Sequence, residues 1–271
     1  MSDVRLFGTY LSVLGLSEEP PSRDYLTRVV RAHQNRVPFE NVSKLLYLRR
    51  DGAKDIPDFG KFVEGMKHHH FGGTCYSNNH YLCLLLRHLG FNASLNGADM
   101  QNPDVHIVIR VKQEGRDYFV DVGYASPFLD PMPADSETDF AVEFGTDRYV
   151  LRPRDTEGQS RLDLYRKGEL IHGYLVKPTV REIGYFAPAI VDSYQDSATF
   201  MNSVLLTRYA YERSVVIHNY TVRTCYSSIS SVLALSTKQE LLEAVEREFG
   251  IPQSLTGEAL QGVELSGDAW S

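Results

Sequence analysis

Cysteine is scarce in this chain: Cys75, Cys83 and Cys225 are the whole complement of 271 residues. An odd, sparse count fits a reducing compartment rather than a disulfide framework. No pair has metal-ligand spacing, so no metal site is expected. Cys75 and Cys83 are eight residues apart, too far along a helix to bridge if both lie on it. Long apolar runs are missing as well. None approaches the ~18 residues of a membrane-spanning helix, and no membrane partner is expected. The opening MSDVRLFGTY lacks the basic-then-apolar order of a secretory signal, so the expected location is cytoplasmic. Positive charge is also in deficit. The 28 Lys and Arg are outnumbered by 35 Asp and Glu, for a net charge of −7, which argues against a nucleic-acid partner. What remains is ordinary globular composition, 42% hydrophobic and 23% charged, with length enough for a substantial core.

The first part of the chain reads as helical. Residues 3–15 carry Phe7, Tyr10, Leu11 and Leu14 at helical spacing. Ser22 follows a Pro-Pro break and caps a second helix with the stripe Tyr25, Leu26, Val29 and Val30, ending near Val37-Pro38. DFGKFVEGMK (58–67) repeats the pattern. A fourth helix is expected from Cys75 to Leu89, with Leu82, Leu85, Leu86 and Leu89 as its stripe and Gly90 at a left-handed stop. From residue 92 the period shortens. VHIVIRVKQ and DYFVDVG alternate on either side of EGR, which is a hairpin signature. RYVLRP, LDLYRK, ELIHGYLVK and RSVVIHNYTV read as further strands. Residues 125–147, rich in Pro, Asp and Glu, read as a long surface loop. Ser236 and Gln239 form a capping box for a last helix, with Leu241, Leu242, Val245 and Phe249 facing inward and Gly250 and Pro252 ending it. Helices followed by strands and a small helical end is an α+β order, not alternating βαβ.

Chemistry concentrates in FGGTCYSNNH (71–80). Cys75 sits at a helix start, where unpaired backbone N–H groups favour the thiolate, behind two glycines that let the chain turn and a substrate approach. A structural cysteine buried as a small hydrophobe is the bland alternative. A nucleophile needs a base. The hairpin register supplies a candidate: pairing Lys112 with Asp117 puts Ile107 opposite Val122, Ile109 opposite Val120 and Val111 opposite Tyr118, one wholly apolar face. His106 and Asp121 then share the other face as diagonal neighbours, roughly 7–8 Å apart along the backbone. Moving the pairing by two residues sets them directly opposite. For an isolated His–Asp pair a structural hydrogen bond is the favoured explanation. Together with a helix-start cysteine it reads as a nucleophile, its base and the base's orienter. The His68–His70 run reads as solvated.

These residues resemble a known family, the arylamine N-acetyltransferases, over nearly the whole chain. RVPFENVSKL (36–45) is similar to the family's H-x-x-x-V-P-F-E-N segment, with His33 and Glu40 in register, and GGTC to its R-G-G-x-C motif. LRHLGF, the DVG of 121–123, SATFMNSVLLTRYAYERSVV and EREFGI match later segments in order. The resemblance implies a papain-like cysteine-proteinase fold in three parts. These are a helical bundle (1–90) bearing the nucleophile, a central β-barrel (91–190) bearing His and Asp, and a C-terminal α/β lid (191–271). It implies Cys75 as acyl acceptor, His106 as base and acid, and Asp121 as orienter, with Phe39, Gly73, Thr74, Gly123 and Tyr124 against substrate. The implied reaction moves an acetyl group from acetyl-coenzyme A to an arylamine or hydrazine through acetyl-cysteine, with no permanently bound cofactor. A related amide synthase using a larger acyl thioester, a hydrolase with the same three groups, and a member that only binds ligand are the alternatives. The motif arginine is Phe71 here, its acidic residue is Ser77, and DVGYA stands for D-V-G-F-G. Glu40 therefore lacks its expected partner, a role open to one of His68 to His70.

Overall fold

A computed structural model describes residues 3–226 and 229–266. Helix α1 (Asp3–Leu14) buries Leu6, Tyr10, Leu11 and Leu14, so Leu6 takes the place expected of Phe7, which is only partly covered. Helix α2 (Arg23–Arg36) begins where expected, the Ser22 side chain accepting from the Tyr25 N–H, and buries its stripe. A two-residue strand, β1 (Phe39–Glu40), and helix α3 (Val42–Asp51) follow. Helix α4 (Phe59–His69) is capped by Asp58, and α5 runs Cys75–His88, with Gly90 left-handed just beyond it. Leu82, Leu85 and Leu86 of α5 are fully buried, each contributing about 1.5–3 kcal/mol by leaving water.

Eight strands make one antiparallel sheet. They are β2 (Asn92–Asp99), β3 (His106–Gln113), β4 (Arg116–Val120), β5 (Met132–Pro133), β6 (Phe140–Phe144), β7 (Asp147–Leu151), β8 (Ser160–Arg166) and β9 (Glu169–Arg181), in the order β5-β4-β3-β2-β9-β8-β7-β6. The β3–β4 register is the predicted one: Lys112 faces Asp117, Val111 faces Tyr118 and Ile109 faces Val120. Glu114 and Gly115 both have positive φ, as a two-residue hairpin turn requires. Ile107, Ile109, Val111 and Val120 pack on the helices. The opposite face is not the open one that simple alternation suggests. Val108, Phe119, Leu164 and Tyr174 fill it, because the curled sheet packs against itself. The expected surface loop 125–147 is corrected by the same packing: it contains β5 and β6, and buries Phe128, Leu129, Met132 and Ala134.

The chain then forms α6 (Ala187–Asp192) and a second sheet from β10 (Leu205–Arg208), β11 (Ser214–His218), β12 (Thr221–Tyr226) and β13 (Ile229–Ala234). β1 completes this sheet at its edge against β10. RSVVIHNYTV is thus a hairpin rather than one strand, turning at Asn219 with φ 47. Helices α7 (Lys238–Phe249) and α8 (Gln253–Ala259) cover one face. The α7 cap lies one residue later than expected. Thr237 accepts from the Glu240 N–H and the Glu240 carboxylate accepts from the Ser236 N–H, while Leu242 is only partly buried. The architecture is α+β.

Candidate active site

Cys75 opens α5 and is half-buried. Neither Gly72 nor Gly73 has positive φ; space, not a left-handed bend, demands them. A Cβ on Gly72 would lie 1.9 Å from the Pro38 carbonyl oxygen, and one on Gly73 would lie 2.8 Å from the Ser77 Cβ. The bare backbone lets Gly73 bridge to Phe39 and accept from the Glu40 N–H at 3.1 Å, which fixes the approach to α5. Ser77, small and buried, complements that packing. Glu40 finds no histidine partner. Its carboxylate accepts from the Ser43 N–H at 2.8 Å, the Ser43 hydroxyl at 2.5 Å and the Gly72 N–H at 3.2 Å. Burial still raises its pKa against those bonds. Phe71 turns its ring toward Tyr47 in an apolar cluster, and His68 pairs with Glu64 instead.

His106, the first residue of β3, and Asp121, just past β4, come together as predicted. The His106 Nε2 lies 2.8 Å from Asp121 Oδ2, both side chains almost wholly buried. Asp121 accepts three further bonds, from Asn79 Nδ2 at 2.8 Å, the Gly123 N–H at 3.0 Å and the Tyr174 hydroxyl at 2.8 Å. Burial raises its pKa, but the His106 charge and the bonds from His106, Asn79 and Tyr174 outweigh that and hold the carboxyl below its usual range. Burial alone would push His106 down. The Asp121 charge and hydrogen bond, joined by a hydrogen bond and charge from Cys75, carry it up to about 10. With Nε2 committed to Asp121, Nδ1 is the nitrogen left to meet the sulfur. The Cys75 Sγ also lies 4.0 Å from the Val105 carbonyl oxygen, on the residue before His106.

A cavity of about 320 Å³ opens over Cys75 and His106, a size suited to a small organic ligand. Of the residues expected against substrate, Phe39, Gly123 and Tyr124 line it. Gly73 and Thr74 instead line a separate, much smaller cavity on the other side of Tyr76 and Ser193. Gly123 must be bare: a Cβ there would sit 2.6 Å from the Cys75 Cα. Three groups were given no role from the sequence. Tyr174 reaches Asp121 from β9, and His172 on the same strand binds the Tyr124 hydroxyl at 2.8 Å. Asn79 bonds both Asp121 and the Ile107 carbonyl, tying α5 to β3; its place one helical turn after Cys75 was the available signal.

An N-acetyltransferase family model matches residues 23–256. A pineal gland isozyme of arylamine N-acetyltransferase from Gallus gallus is 30% identical over 147 residues, 50% of this chain and 49% of that protein. This match thus spans about half the relative's length. The arylamine N-acetyltransferase structure from Salmonella typhimurium superposes with TM-score 0.80 at 17% identity, covering 95% of this chain and 98% of that one. The Mycobacterium marinum enzyme, solved in complex with coenzyme A, gives 0.79 at 18% identity, covering 95% and 99%. The shared fold carries the likeness through the parts where sequence identity has faded, and the family model spans most of the sequence: the chain belongs to the arylamine N-acetyltransferase family.

Proposed function

We propose that this protein transfers an acetyl group from acetyl-coenzyme A to an aromatic amine or hydrazine, with Cys75, His106 and Asp121 as its catalytic triad. The observation that carries the reading is the buried 2.8 Å His106–Asp121 bond, with His106 and Cys75 lining the same cavity. The Cys75 thiolate attacks the thioester carbonyl. Coenzyme A leaves as the thiol, taking the His106 proton, and Cys75 is acetylated. The neutral amine then attacks this second thioester, His106 takes the amine proton, and the thiolate is released again. Exchange between thioesters is nearly balanced, and the amide formed at the end makes the cycle favourable. Asp121 fixes the imidazole's orientation and offsets its charge. Membership of the family and the coenzyme A complex of the Mycobacterium marinum relative support the donor.

Steady-state kinetics over a grid of acetyl-coenzyme A and arylamine concentrations test this. Parallel double-reciprocal lines are expected, and their loss in Cys75→Ala. Intersecting lines, or unchanged turnover without the thiol, contradict it. Including bulkier acyl thioesters decides the donor, since turnover of these with acetyl ignored identifies an amide synthase.

A further inference from the structure

Lys44 on α3 has a setting that the reaction above does not use. It is 7% exposed. Its ammonium donates to the Ser193 carbonyl oxygen and the Ser193 hydroxyl, each at 2.7 Å, and rests 4.1 Å from the centre of the Tyr194 ring. Among the described residues no carboxylate pairs with it. A buried ammonium held only by neutral groups is costly. Burial draws its pKa down to about 8, and the charge that pulls it back up is that of Cys75.

The geometry explains that coupling. Lys44 lines the small cavity, about 20 Å³, with Gly73, Thr74, Tyr76 and Ser77, the residues on either side of Cys75. Such a volume holds about one water molecule and no substrate. Ser193 and Tyr76 line both this cavity and the large one, so they form the partition between ammonium and active site. The other titratable groups against Lys44 are the phenols of Tyr47, Tyr76 and Tyr194, which burial keeps neutral. Asp192 beside Ser193 is exposed. Phe71, meanwhile, leaves no cation at the motif position before the nucleophile.

We propose that Lys44 is a positioning residue for the nucleophile: its ammonium, held behind the partition by Ser193, supplies positive charge that favours the Cys75 thiolate. The proposal rests on the reading of Cys75 as nucleophile. Its test is the rate of iodoacetamide alkylation of Cys75, followed by mass spectrometry from about pH 5 to about pH 9. In Lys44→Met the rate at about pH 6 falls by about tenfold and the profile moves to higher pH, while Lys44→Arg restores most of the rate. Coincident profiles for Lys44→Met and the wild type overturn the proposal. Should the methionine variant fail to fold, the wild-type chain gives the reciprocal measurement. The Lys44 ε-methylene is titrated by NMR before and after Cys75 is capped with iodoacetamide; its midpoint falls on capping, and an unmoved midpoint overturns the proposal. Alkylation needs neither acetyl donor nor amine. A chain that alkylates as described but transfers no acetyl group loses the proposed reaction and keeps this role for Lys44.

Discussion

Two buried histidines, His33 and His106, and the half-buried His80 show how a hydrogen-bonded carboxylate changes an imidazole. His33 is drawn down by burial alone to about 3, and His80 by burial and the Arg87 charge to about 4, a weaker upward pull from Glu182 notwithstanding. His106 is as buried as His33 and goes the other way, up to about 10, burial being overcome by the Asp121 charge and hydrogen bond with added help from Cys75. Asp121→Asn keeps the shape and removes the charge. Acetyl transfer should fall about 10³–10⁴-fold, with the secondary structure unchanged by circular dichroism. Tyr174→Phe removes one of the four donors to Asp121 and should destabilise by about 1.5–3 kcal/mol in urea unfolding, with a smaller loss of rate. Tyr174 had no signal of its own in the sequence, because its partner lies just past β4, 53 residues away.

The β3–β4 hairpin was legible because one face had to be apolar and a slip of one residue would have exposed it. Elements whose state is imposed from outside were not. β2, NASLNGAD, has little strand propensity; it is extended because β3 and β9 flank it on both sides. Helix α3 lacks a local start signal, since Asn41 makes no capping bond and donates instead to the Phe200 and Ser203 carbonyls. The acidic, proline-containing stretch 125–147 hid its buried aromatic and aliphatic residues among turn formers. The catalytic candidates fared better, each being fixed by its own element: a helix start, a strand start and a strand end. Their contact depends on how closely α5 meets the segment after β4. Gly123→Ala places a methyl 2.6 Å from the Cys75 Cα and 2.7 Å from Asn79 Nδ2. The expected result is a loss of about 10²-fold in kcat/KM with a cooperative fold retained.

The whole chain is joined across its sheets by a buried charge. Asp147 on β7 holds Arg166 of β8 at 2.7 Å and Arg223 of β12, in the second sheet, at 3.7 Å. Asp147→Asn leaves two guanidinium groups short of their anion and should cost about 3–5 kcal/mol, read from the urea midpoint. Acid stability has a separate origin. His33 is held at about 3 in the folded chain by burial against an ordinary 6.5, so unfolding takes up a proton between those values. Its contribution is complete above about pH 6.5 and is lost as pH falls toward 3. A His33→Gln variant should therefore show a flatter decline of the urea midpoint from pH 6.5 to 4 than the wild type, whatever its absolute stability. Incubation with acetyl-coenzyme A alone, without any amine, followed by rapid quenching and peptide mass spectrometry, tests the account most directly. An acetyl group on Cys75, discharged when an arylamine is added, is the result predicted; an unmodified Cys75 in a chain that still forms acetylated arylamine would contradict it.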